Sequence, residues 1–174
     1  GIDFVIILTP YVAARGDDAV YDYYKFICDC VDIGIVLFNT EATYPISPKL
    51  AKRLAALPNI CGFKQGVSKP QPTTALRDAI GKDVEVSVAD EAPFLYNISV
   101  CGDRWLLNYC PHLYRVPGYS PVNDYTRAAL AGDLNKATEI CRSLNPLRSV
   151  LAKWIPGYGG GGRMAIAEQK FWME

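Results

Sequence analysis

The chain has 174 residues, half of them hydrophobic and 21% charged, with Lys+Arg and Asp+Glu balanced at 18 each. This is ordinary globular composition. It carries no basic stripe for nucleic acid and no acidic tail for partner binding. Its apolar runs fall well short of the roughly 20 residues that a membrane helix needs. The chain opens on an apolar run with no charged leader, so neither a signal peptide nor a membrane partner is expected, and a cytoplasmic location is.

In chain order, Ile2 to Leu8 reads as a buried strand ended by Pro10. Asp17 and Asp18 are placed to cap a helix over about 19–31, whose apolar positions Val20, Tyr24, Ile27 and Val31 recur every three or four residues. Ile33 to Phe38 is a second strand. Ser47-Pro48 pairs an N-cap with proline at the first helical position and opens a helix to about Leu57. Asn59 to Phe63 is the third strand, Pro72 to Ile80 a short helix and Val84 to Val88 the fourth strand. Asp90 to Val100 reads as a helix, and Trp105-Leu106-Leu107 centres a fifth strand. Short apolar strands alternating with helices predict a parallel sheet buried on both faces. No G-x-G-x-x-G follows the first strand, which argues against a dinucleotide fold.

After residue 117 the pattern turns helical. Ser120 caps a helix to about Ala131, and Gly132-Asp133 stops it and starts another reaching about Trp154. Pro146 inside that second helix should kink or split it. Gly157 to Gly162 is a glycine-rich run without the strand or the Lys-Ser/Thr pair of a phosphate loop, and a last helix begins near Arg163. The six cysteines form no C-x-x-C pair and read as buried free thiols. With His112 as the single histidine, no metal site is expected.

The segments align in order with one family. Leu8-Thr9-Pro10-Tyr11, Val36-Leu37-Phe38-Asn39, Asn59-Ile60-Cys61-Gly62-Phe63-Lys64 and Ala128 to Leu134 resemble successive motifs of the dihydrodipicolinate synthase/N-acetylneuraminate lyase superfamily. The resemblance implies an α/β fold, a (β/α)8 TIM barrel of which residues 1–117 supply strands 4 to 8, followed by a C-terminal helical region over 118–174. Five strands cannot close an eight-strand barrel. A fragment, a nicked chain, or a separate chain supplying strands 1 to 3 is therefore expected. The end at Phe171 to Glu174 also reads as cut inside a helix.

The same resemblance implies a cofactor-free, Schiff-base-forming lyase of aldolase or dehydratase type, acting on a 2-oxo acid such as pyruvate or a sugar-acid derivative. Lys64 is the expected imine former, because a strand end in an apolar barrel can desolvate an amine. Strict alternation puts Ile60, Gly62 and Lys64 on the lumen side, with Gly62 leaving room for substrate, and Cys61 and Phe63 on the helix side. Phe38 occupies the position where the family has a proton-relaying tyrosine, and phenylalanine has no proton to give. Val12 replaces a second frequent tyrosine, and the arginine usual after strand 5 gives way to Thr40 to Tyr44.

Tyr11, Tyr44, Tyr109 and Asn39 are the candidate replacements, with Glu41 as a further loop carboxylate. Tyr11 joins the catalytic set with Lys64 and Phe38. Asn39, Gly62, Asp90 and Tyr109 join the substrate-binding set. Each has a structural alternative: packed aromatics, an asparagine serving backbone groups, an aspartate capping a helix. Gly62 to Gly66 resembles the Gly-Phe-Lys-Asp-Gly of the 5-dehydro-4-deoxyglucarate dehydratase branch. Family membership implies a homo-oligomer, dimer or tetramer. The loss of the tyrosine motivates an alternative, a silent barrel that binds a small acid or serves in assembly.

Overall fold

A computed structural model describes residues 1–10, 16–40, 43–66, 70–108, 114–154 and 170. It contains two compact units, one of Gly1–Ala89 with Trp105–Leu107, the other of Asp90–Arg104 with Asn108–Glu174.

The first unit is a four-stranded parallel sheet in the order β1 (Phe4–Leu8), β2 (Gly34–Asn39), β3 (Ile60–Gln65), β4 (Glu85–Val88). Helices α1 (Asp17–Cys30), α2 (Pro48–Ala55) and α3 (Pro70–Ile80) connect successive strands. Among the described residues the expected fifth strand is represented by one parallel bridge, Val88 to Leu106. The Leu107 N–H donates to the Val88 carbonyl at 3.2 Å, and the Ser87 hydroxyl adds to this pairing by donating to the Trp105 carbonyl at 2.8 Å and accepting from the Leu107 N–H at 3.1 Å.

One face of the sheet packs on the helices. Ile35, Leu37, Phe63 and Val86 share a core with Val20, Tyr24, Leu50, Leu54, Leu76 and Ile80, and Val5 and Ile7 join it from β1. Alternation then turns Phe4, Ile6, Val36, Phe38, Gly62, Lys64 and Ser87 to the other, inner face. Phe4 and Ile6 there are exposed, and Phe4 stacks on Trp105 with centroids 6.1 Å apart.

A bulge breaks strict alternation in β3. Ile35 pairs with Ile60 but Val36 pairs with Gly62, so Cys61 is an extra residue. Ile60 consequently joins the helix-side core, not the lumen side expected for it, and Cys61 is exposed. Cys30 is exposed as well, against the expectation of buried thiols, whereas Cys28 and Cys101 are buried.

Some helix starts follow local capping chemistry and others do not. The Ser47 hydroxyl accepts from the Leu50 N–H, and Pro48 stands at the first helical position. Asp17 and Asp18 do not cap α1: Gly16 holds the cap position and the two carboxylates sit in the first turn, where they interact favourably with the positive end of the helix dipole.

In the second unit the segment expected as one helix over 90–100 is a single turn, α4 (Phe94–Tyr96), widening into a π-helical turn over Asn97–Cys101. Gly102, at φ 73°, ends it. Helix α5 (Pro121–Leu130) has Ser120 at its cap position, without a capping side-chain bond. Gly132, at φ 86°, and the Asp133 carboxylate, accepting from the Lys136 N–H, separate α5 from α6 (Leu134–Ser143). The expected proline break falls at Leu144, so α7 (Asn145–Trp154) is a separate helix with Pro146 in its first turn.

Glu91, with its side chain fully buried, ties this unit together. It takes a two-pronged ion pair from Arg148 at 2.8 and 2.5 Å and a hydrogen bond from Tyr125 at 3.0 Å. The glycine run and the helix expected from Arg163 lie outside the described residues, apart from Lys170. Among the described residues no helix is long and apolar enough to cross a membrane, and no cluster of His, Cys, Asp or Glu is suited to a metal ion.

Candidate functional site

Strand β3 runs two residues further than the apolar pattern indicated. Lys64 is therefore inside the ladder, paired with Phe38 on β2 and Ser87 on β4. Its side chain emerges on the inner face and is only 9% exposed. The amine lies 4.2 Å from the centroid of the Phe38 ring, over its face. Among the described residues no carboxylate is within ion-pair distance of it. Burial pushes its pKa below the ordinary lysine value, because removing water costs the ammonium more than the free amine.

The ring is held by close backbone approach. A Cβ on Gly66 would lie 2.8 Å from Phe38 Cε2 and 2.9 Å from the Asn39 carbonyl oxygen, so only glycine fits beside the ring without movement. Gly62 shares the inner face with Lys64. The space above it is occupied by Val36, whose Cγ2 would stand 3.2 Å from an added Cβ. Gly62 thus makes room for a neighbouring side chain.

Asn39 points the other way, with Leu37 and Phe63. Its amide donates to Gln65 Oε1 at 2.8 Å and to the Ile46 carbonyl at 3.3 Å, and its oxygen accepts from the Ile46 N–H at 2.9 Å. Asn39 and Gln65 are 6% and 1% exposed. The asparagine expected to touch substrate therefore serves backbone groups after the strand. The residue missed by sequence reasoning is Gln65. Its signal was available: a polar residue two after Phe63 on a buried face requires a polar partner.

The same loop is pinned twice more. Thr9 at the end of β1 bonds the Thr43 hydroxyl at 2.5 Å and the Tyr44 carbonyl at 3.1 Å. Tyr44 donates its hydroxyl to Asp17 at 2.8 Å, an engagement that raises its pKa. Asp90 belongs to the second unit, where its carboxylate accepts from the Ala92 N–H at 3.2 Å and Pro93 holds the α4 cap position. Tyr11, Tyr109, Glu41 and His112 lie outside the described residues.

What assembles is a parallel α/β sheet with a desolvated primary amine at one strand's end, seated on an aromatic face that carries no titrating group. The dihydrodipicolinate synthetase family model matches residues 1–156, and the chain belongs to that family. It is 27% identical over 153 residues to a 4-hydroxy-tetrahydrodipicolinate synthase of Listeria monocytogenes serotype 4a, covering 87% of this chain and 50% of that one. It is 25% identical to the synthase of Pseudomonas aeruginosa over the same share of this chain, 51% of that protein. The chain thus spans about half the length of the curated relatives it matches. Among solved structures, the Aquifex aeolicus dihydrodipicolinate synthase superposes with a TM-score of 0.78 at 21% identity, over 99% of this chain and 64% of that one. The Acinetobacter baumannii enzyme, solved with pyruvate, gives 0.76 at 22% identity over 91% and 54%. These superpositions extend the fold assignment to the dihydrodipicolinate synthase architecture.

Proposed function

We propose that the protein carrying this chain is a Schiff-base lyase of aldolase or dehydratase type for a 2-oxo acid, with Lys64 as the amine that condenses with the ketone. The observation that carries this is the Lys64 amine, buried to 9% exposure on the inner face of the sheet with no carboxylate partner among the described residues. Such an amine is a poor structural element, because burying an unpaired cation is costly. It is a good nucleophile, because the same cost favours its neutral form. Family membership supports the reading, and the synthase solved with pyruvate makes that acid the first one to try.

The reading extends to architecture. The four strands and the Leu106 bridge correspond to strands 4 to 8 of an eight-stranded barrel over residues 1–117, and helices α5 to α7 belong to a C-terminal helical region over 118–174. The unpaired side of β1 is where further strands would join. Tyr11 and Tyr109 are proposed as proton-handling or substrate-contacting groups and Asp90 as a substrate contact. Gly62 and Asn39 support the site from the positions described. Assembly as a dimer or tetramer in the cytoplasm rests on family membership.

Borohydride reduction in the presence of pyruvate, and then of sugar-acid-derived 2-oxo acids, tests the reading. The peptide containing Lys64 should gain the mass of the reduced adduct, and Lys64→Met should gain none. An unmodified Lys64 across the panel would sink it.

A further inference from the structure

Phenylalanine at position 38 removes a proton donor, but the geometry gives the ring another use. The Lys64 amine sits over the ring face at 4.2 Å from its centroid, a distance at which a ring quadrupole attracts a cation. Nothing else on these strands supplies countercharge. The sequences of β1 and β2 contain no charged residue, β3 contains only Lys64, and β4 contains only Glu85, which pairs across the ladder with Gly62 on the same face, one alternate position from Lys64, and has its carboxylate 3.8 Å from Arg77 of α3. The partner across β4 is the neutral Ser87, whose hydroxyl is engaged with Trp105 and Leu107. Gly66 lies beside the ring, where an added Cβ would stand 2.8 Å from Cε2.

We propose that the face of the Phe38 ring stabilises the positive charge of the Lys64 iminium, making Phe38 a catalytic residue that acts through its π face. This rests on the imine reading above. In the step concerned, the neutral amine's lone pair forms a bond to the C2 carbon of the 2-oxo acid, and the carbonyl oxygen takes up protons and leaves as water. Amine, ketone and one proton from solvent give iminium and one water. The nitrogen goes from neutral to cationic, so a group that attracts cations favours the product. When the amine starts as ammonium, both sides are cationic and the ring's contribution largely cancels.

That cancellation gives the test. Replacing Phe38 in the intact protein by phenylalanines bearing one, two and three fluorines keeps the ring's shape and drains its face of negative charge. Imine formation with pyruvate is read by borohydride trapping at two pH values, one above and one below the titration of the Lys64 amine. Above it, apparent pyruvate affinity should fall stepwise, by about tenfold across the series. Below it, affinity should change by less than about twofold. Affinity independent of fluorine count at both pH values would overturn the proposal, and so would an equal fall at both, which is the signature of altered packing. In either case an intact wild-type adduct would leave the imine reading standing. Absence of an adduct in wild type would overturn both.

Discussion

Lys64 is the residue on which the proposed chemistry turns, and its burial carries a cost to the fold. Its folded-state pKa is depressed below the ordinary lysine value of 10.5 by burial. The unfolded chain therefore binds more protons than the native one between the depressed value and 10.5. Stability rises with pH across that window, and the penalty is complete below it. Lys64→Met, similar in length and uncharged, should stabilise the protein at neutral pH. The advantage over wild type should shrink as pH climbs through the alkaline window towards 10.5. Urea unfolding at several pH values reads both effects. A stability gap independent of pH would mean the amine is well solvated. Phe38 belongs to the same scale. Its identity was legible in the sequence as a missing hydroxyl, but its ring's position over the amine required coordinates, because a side chain's reach across a ladder depends on register.

At the scale of elements, legibility followed how local the determining chemistry is. Ser47-Pro48 and Gly132-Asp133 place helix boundaries through bonds made within four residues, so their motifs sufficed. The segment over 94–101 defied the apolar pattern: α4 makes one turn, and the Asn97 carbonyl then accepts from the N–H groups of both Gly102 and Asp103. The bulge at Cys61 was also invisible, since one extra residue leaves no mark on composition yet reverses which side Ile60 faces. Asn39 could have been placed correctly, because alternation from Ile35 and Leu37 puts it on the helix side.

The β2–β3 ends form a single packed unit in which Gly66 is the tightest point. Gly66→Ala would press a methyl onto the Phe38 ring and onto a main-chain oxygen that cannot retreat. The expected cost is about 1–3 kcal/mol of stability, with weaker pyruvate trapping at Lys64 as the ring shifts. Wild-type values for both would show that the loop yields without strain.

At the scale of the molecule, the parallel α/β class was legible because strand and helix periods alternate along residues 2–107, and the helical character of the C-terminal part because its stop and start signals are strong. The grouping of residues 90–104 with the C-terminal helices was not, since it depends on Glu91 meeting Arg148 across 57 positions of sequence. Loss of one partner from such a buried pair is costly, while the pair itself contributes little net stability. With the Tyr125 hydrogen bond, it links the segment following β4 to helices α5 and α7.

The central claim is a property of one nitrogen. Titration of the Lys64 Nζ by nitrogen-15 NMR, with Lys64→Met identifying the resonance, measures it without substrate. The account predicts a midpoint below the ordinary lysine value of 10.5, and a midpoint at or above that value would contradict it.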